Sequence, residues 1–128
     1  MGMSLQEKLK REVKAYAEEN GLLITKMDFL YAGPTMRSRH SLILAFTDAG
    51  IFTFVFRLNE AEMHYLQKDT IKQVLLEKKR LVYQLTLRAE NEEGQIEEAT
   101  YQVSKTVLAK KWHKQTLLKL IQKELAFS

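Results

Sequence analysis

The segment LVYQLTLRAENEEGQIEEATYQV, residues 81–103, decides the fold of this chain. Apolar side chains recur at every second position, which is the period of a strand with one buried face. The predicted inward positions are Leu81, Tyr83, Leu85, Leu87 and Ala89, followed by Ala99, Tyr101 and Val103. Because the intervening Asn91-Glu92-Glu93-Gly94 is typical of a turn, the segment predicts an antiparallel hairpin.

A second hairpin is predicted upstream, with its strands on either side of Thr47-Asp48-Ala49-Gly50. The second of these strands places Phe52, Phe54 and Phe56 on one face, so it should lie at the centre of the core. An earlier strand is predicted at residues 27–31, before Gly33-Pro34 interrupts the alternation.

Residues 59–79 allow two interpretations. Met63, Leu66 and Val74 have a spacing that suits a helix, whereas the segment TIKQVL, residues 70–75, suits a strand. Periodicity does not separate the two for short apolar runs. We favour a strand from about Thr70 to Glu77.

Helical patterns occur at both ends of the chain. Leu5, Leu9 and Val13 begin a narrow apolar stripe, Ser4 is a candidate N-cap with Glu7 three residues later, and Asn20-Gly21 is a stop signal. Near the C-terminus, the predicted core face of a second helix consists of Leu117, Leu118, Ile121 and Leu125, widened by Leu120 and Phe127. The predicted class is α+β, mainly β: an N-terminal helix, then a bent antiparallel sandwich or barrel of about seven strands, closed by an amphipathic helix.

Four segments of the second half resemble the bacterial pleckstrin-homology-like (PH-like) domains. In that family an aromatic-rich hairpin precedes a strand of the pattern polar-Asp-x-Ile-x-x-Val, and a Lys-containing junction leads into the closing helix. The segments are KDTIKQV (68–74), LVYQLTL (81–87), YQVSK (101–105) and WHKQTLLKLI (112–121). The resemblance covers about residues 22–126 and implies two nearly orthogonal sheets capped by the helix, with a non-enzymatic role in binding or assembly.

The predicted domain organisation follows from these elements. Residues 1–21 form a helix that is packed on the domain or extends it, and residues 22–128 form a single PH-like domain. The narrow stripe of the first helix needs an apolar partner, which is either its own sheet or the same helix of a second copy in a homo-oligomer. We favour docking on its own sheet.

Composition and motif searches argue against most catalytic chemistry. The chain has no Cys, which excludes disulfides and thiolate chemistry, and the lack of a signal-peptide core or a run of about 20 apolar residues predicts a cytoplasmic protein without a transmembrane segment. His40, His64 and His113 are widely separated and are expected to be ordinary surface or rim residues rather than metal ligands. The carboxylates near residues 92–98 flank a turn and fit a solvated loop. We therefore expect no enzyme activity, no cofactor and no metal site.

The positive charge is concentrated near the C-terminus. Residues 105–128 carry six Lys and one Glu, whereas the whole chain has a net charge of +4. On an ideal helix Trp112, Lys119 and Lys123 share a stripe opposite the predicted core face, which makes them a candidate binding surface. The cluster Lys78-Lys79-Arg80 is a candidate extension. The alternative is that Trp112 folds back against the sandwich or the first helix, with the lysines as a solvated face.

Three functions are compatible with these features. The first is a binding module that contacts a protein partner or an anionic membrane surface through the basic stripe. The second is a small apolar-ligand carrier, in which Phe52, Phe54 and Phe56 line a cavity under the C-terminal helix. The third and weakest is nucleic-acid binding, because exposed aromatic residues are too few for a stacking platform.

Overall fold

Two antiparallel sheets form the centre of the structure, a computed structural model that describes residues 4–33, 42–57, 60–105 and 111–122. The first sheet contains, in spatial order, β1 (Met27–Ala32), β2 (Leu42–Thr47), β3 (Gly50–Arg57) and β4 (Glu60–Gln67). The second contains β5 (Ile71–Lys78), β6 (Tyr83–Glu90) and β7 (Ile96–Val103). Helix α1 (Leu5–Asn20) precedes the sheets and α2 (Lys111–Ile121) follows them. The predicted α+β class, with a bent sandwich between two helices, is confirmed.

The two sheets meet at two places. The backbone N–H of Gly33, directly after β1, donates a hydrogen bond to the carbonyl oxygen of Gln102 in β7, with an N···O distance of 2.7 Å. On the other side a single 3-10 turn, Lys68–Thr70, connects β4 to β5. The inner faces of both sheets and α2 enclose one apolar cluster, which includes Leu44, Leu85 and Leu117. The described strands form no closed barrel.

The outer face of the first sheet is covered by α1. Leu9 and Val13 pack with Phe29, Phe52 and Ile43 in a second apolar cluster, so the predicted docking of α1 on its own sheet is confirmed. Since this sheet is covered on both faces, β2 is buried at all six positions. The predicted helix ends also hold: the Ser4 side chain accepts a hydrogen bond from the Glu7 N–H, and Gly21 adopts a left-handed φ of 64°.

Both predicted hairpins are present, but the structure differs from the sequence-based expectation at β4 and at Leu81. The favoured strand near residues 70–77 is confirmed as β5, but β4 was not anticipated, because the spacing of Met63 and Leu66 also fits a helix. The prediction that Leu81 points inward is wrong. The chain reverses through residues 79–82, the Lys79 N–H donates to the Val82 carbonyl at 2.9 Å, and Leu81 is 79% exposed.

Neither described helix is long and apolar enough to cross a membrane.

The start of β3 should tolerate no side chain at Gly50. This residue has a φ of 149°, and an added Cβ would lie 2.1 Å from the Leu66 carbonyl oxygen. We expect Gly50→Ala to lower the free energy of unfolding by about 3 kcal/mol or more, measured by urea denaturation, because the clash involves backbone that is held by the β3–β4 ladder.

Gly94→Ala is the matched control. Gly94 also has a positive φ, 79°, but the nearest atom to its added Cβ is 3.6 Å away, so its cost should be only about 1 kcal/mol. Equal losses in the two variants would contradict the assigned role of Gly50.

Candidate binding surface

The orientation of α2 determines which of the predicted binding residues reach solvent. Its buried residues are His113, Thr116, Leu117 and Leu120. At about 100° per residue, the centre of this face lies about 90° from the predicted Leu117–Ile121–Leu125 face. Ile121 is accordingly 44% exposed, and Leu125 lies outside the described residues. The predicted core face of α2 is therefore confirmed at Leu117 and Leu120 and wrong at Leu118 and Ile121, whereas Leu125 and Phe127 lie outside the described residues.

His113 holds α2 in this orientation. Its side chain is 0% exposed, which corrects the expectation of a surface or rim histidine. The Tyr31 backbone N–H in β1 donates to Nδ1 at 3.0 Å, and Nε2 lies 2.6 Å from the carbonyl oxygen of Ser104, just after β7. Because a backbone N–H can only donate, Nδ1 is the acceptor and the proton is on Nε2. One neutral imidazole thus joins α2 to both sheets.

Burial lowers the pKa of His113 because the imidazolium would lose its hydration, and the hydrogen bond to Ser104 only partly opposes this effect. Protonation would also remove the acceptor that the Tyr31 N–H uses. The surroundings of His113 therefore favour the neutral imidazole, both because they are apolar and because the Tyr31 N–H needs an acceptor.

Trp112 does not lie on an outward stripe. Its ring stacks on Tyr31, with centroids 5.2 Å apart and planes 20° from parallel, and it meets Phe29 edge-on at 6.2 Å. The indole is half-buried against the outer face of β1. The prediction of an exposed Trp112 anchor is wrong, and the alternative that it folds back against the sandwich is the arrangement observed.

Lys119 is also engaged within the fold. Its Nζ lies 2.6 Å from Oδ1 of Asp28, whose side chain is only 15% exposed. The ion pair connects α2 to the first residues of β1. The Lys119 charge, which was expected to face a binding partner, is therefore paired within the fold. Lys123 lies outside the described residues, so its predicted role stays untested. The described part of the stripe supports α2 docking rather than an open contact surface.

Among the predicted binding residues that the structure describes, those of the companion cluster are exposed. Lys78, Lys79 and Arg80 are all exposed at the β5–β6 turn, directly before the exposed Leu81. Lys79 approaches Glu77 at 3.5 Å, in a pair whose side chains are about half exposed. Exposed pairs of this kind are worth about 1 kcal/mol or less, so the lysine stays available to a partner. We call residues 78–81 the basic turn.

The strand register adds a fourth cation to this end of the second sheet. Lys78 pairs with Tyr83, and Tyr83 pairs with Val103, so the end of β7 lies beside the basic turn. Lys105 follows two residues later and is exposed. The basic end of the sheet therefore consists of the basic turn and Lys105.

The opposite end of the same sheet is acidic. Four exposed carboxylates surround the β6–β7 turn: Glu92, Glu93, Glu97 and Glu98. Strands of eight residues separate the two ends by about 25 Å. Arg88 partly offsets the acidic charge through a 2.8 Å bond to Glu98. The sheet thus has a charge polarity along its strands, which the net charge of the chain does not reveal.

The other candidate chemistry is not assembled in the described residues. No group of three His, Asp or Glu residues in the described part of the chain could hold a metal ion. His64 is exposed and lies 3.5 Å from Glu62, and His40 lies outside the described residues. Phe52 and Phe54 are fully buried against α1, so the expected Phe-lined cavity under the C-terminal helix is wrong.

Comparisons with protein-family models, curated proteins and solved structures give no match for this chain. The PH-like assignment consequently stays a prediction that rests on the four sequence segments.

The buried histidine predicts a specific pH dependence of stability. Since the folded-state pKa is below the usual value of 6.5, the unfolded chain binds the proton first as the pH falls. Stability from this group should be fully present above about pH 6.5 and decline below it, by up to about 1.4 kcal/mol per pH unit, until the folded-state pKa is reached.

His113→Gln separates this contribution from the other titrating groups. The amide keeps a donor and an acceptor but does not titrate, so urea denaturation between pH 8 and pH 5 should give a shallower loss of stability in the variant. The same pH slope in both proteins would rule out His113 as the source.

Proposed function

We propose that this chain is a cytoplasmic, non-enzymatic binding module of the PH-like type, which docks on an anionic membrane surface through the basic end of its second sheet. The observation that carries the proposal is the basic turn, where three adjacent cations precede a leucine that is 79% exposed. An exposed leucine at a turn gains nothing from the core and is available for contact with acyl chains.

The chemistry of the basic turn favours a membrane over a folded protein partner. Lys and Arg side chains interact with anionic headgroups, while an apolar side chain beside them enters the boundary with the acyl chains. A compact protein contact is often built around an aromatic anchor, and Trp112, the aromatic residue proposed from the sequence, is engaged with Tyr31 instead. The polarity of the sheet would also orient the domain, with the acidic end away from the negative surface.

The expected affinity is weak. Each Lys or Arg near an anionic surface contributes about 1 kcal/mol, and burial of Leu81 adds about 1 to 2 kcal/mol. These terms correspond to a dissociation constant on the order of 0.1 to 1 mM for one domain. A contact of this strength suits reversible recruitment.

The test is binding to vesicles of phosphatidylcholine with and without phosphatidylserine. We expect binding only with the anionic lipid, decreasing with salt, and reduced by about 100-fold in Lys78→Gln/Lys79→Gln/Arg80→Gln because about 3 kcal/mol of attraction is removed. Leu81→Ser should weaken binding by about tenfold at constant charge.

The matched control is Lys8→Gln/Arg11→Gln/Lys14→Gln, which removes the same three charges from the exposed side of α1. It should bind like the parent chain apart from the small effect of net charge. Equal losses of vesicle binding in the two triple variants would show that only the net charge of the chain matters. Binding of the parent chain to a protein or a nucleic acid, without binding to anionic vesicles, would contradict the membrane as the ligand.

A further inference from the structure

A cleft of about 390 Å³ opens between the two sheets at the acidic end of the sandwich. One wall is formed by β3 and β4, with Val55 and Leu66, and the other by β6 and β7, with Leu87 and Ala99. The described lining includes no residue of α2, which packs with the apolar core through Leu117 and Leu120. The cleft is therefore distinct from the Phe-lined cavity expected from the sequence.

Small side chains on the second sheet create this space. Ala89 and Ala99 occupy inward positions near the β6–β7 turn, where Leu87 pairs with Ala99 and Ala89 pairs with Glu97. At the other end of the same strands, the inward positions hold Leu85 and Val103, both fully buried. The smaller inward side chains therefore leave the two sheets less closely packed at the acidic end than at the other end of the same strands.

The walls have the composition of a small-molecule site. They are mainly apolar, and besides two carboxylates they carry four polar side chains: Thr53, His64, Thr100 and Tyr101. Burial raises the pKa of Tyr101, so the phenol stays protonated and can donate or accept a hydrogen bond. The volume falls in the range of about 300 to 1,000 Å³ that is usual for ligand pockets.

Charge at the cleft narrows the class of ligand. Glu97 and Glu98 contribute to its described lining, which includes no Lys or Arg. Because Arg88 offsets part of this charge through its 2.8 Å bond to Glu98, a ligand with a carboxylate or phosphate would meet repulsion mainly from Glu97, and the described lining offers it no Lys or Arg. The lining instead fits an uncharged molecule, with a hydrocarbon body against the leucines and alanines.

We infer that this cleft binds an uncharged, largely hydrocarbon small molecule that carries one hydroxyl or carbonyl group. The apolar walls hold the body of the ligand, and Thr53 or Tyr101 satisfies its single polar group. This site is independent of the basic turn, which lies at the other end of the second sheet, and the two proposals can fail separately.

The test uses N-phenyl-1-naphthylamine, a neutral fluorophore, with the full chain and with n-decanol and decanoate as competitors. We expect a saturable rise in fluorescence, and displacement by decanol at about tenfold lower concentration than by decanoate, because only decanoate is repelled by the carboxylates. Ala99→Phe fills the cleft and should weaken probe binding by about tenfold or more, whereas Gln102→Phe adds the same ring to an exposed position of β7 and should not.

Three results would contradict ligand binding in this cleft or the uncharged class of ligand. Absence of saturable binding, or undiminished binding by folded Ala99→Phe, would overturn it, and preference for decanoate would overturn the uncharged class. If Ala99→Phe does not fold, the binding site is located by NMR on the parent chain. Contacts between bound decanol and the methyl groups of Val55, Leu66 and Leu87 support the site. Contacts located elsewhere contradict it.

Discussion

The imidazole of His113 is the contact on which the arrangement of the C-terminal helix depends. It joins α2 to both sheets, through the Tyr31 N–H in β1 and the Ser104 carbonyl beyond β7. A buried polar group left without partners costs about 1 to 3 kcal/mol, so no rotation of α2 that breaks these two bonds is favourable. Leucine packing alone would fix the position of the helix less strictly, because apolar contacts are not directional.

This rotation of α2 decides how charge is distributed on the surface. Once His113 faces inward, Trp112 meets Tyr31 and Lys119 reaches Asp28, so both side chains stabilise the fold. Four exposed cations of the second sheet then lie at the basic turn and Lys105, about 25 Å from the acidic end, where Lys72 and Arg88 are paired with Glu90 and Glu98. The surface that we propose for membrane docking and the cleft that we propose for ligand binding therefore lie at opposite ends of one sheet.

Local periodicity was sufficient for most of the fold. Alternation of apolar and polar residues predicted both hairpins, and the stripe with its Ser4 cap predicted α1. The face of α2 was not predictable in this way, because His113 is polar and its burial depends on two backbone partners contributed by other elements. The cleft was missed for a related reason: inward Ala89 and Ala99 indicate only a buried face, and the space above them depends on how the sheets diverge. Lys78, Lys79 and Arg80 were candidates from the sequence and are exposed, whereas the exposure of Leu81 beside them was not predicted.

The most direct test of the account is a map of the protein surface that contacts an anionic bilayer. Backbone amide signals of ¹⁵N-labelled protein, recorded with and without phosphatidylserine nanodiscs, identify the residues whose signals broaden on contact. We predict that the amide signals of residues 78–82 and Lys105 broaden selectively, and that those of the acidic turn at residues 91–98 are unaffected. Broadening centred on Trp112 and Lys119, or on the acidic turn, would contradict it.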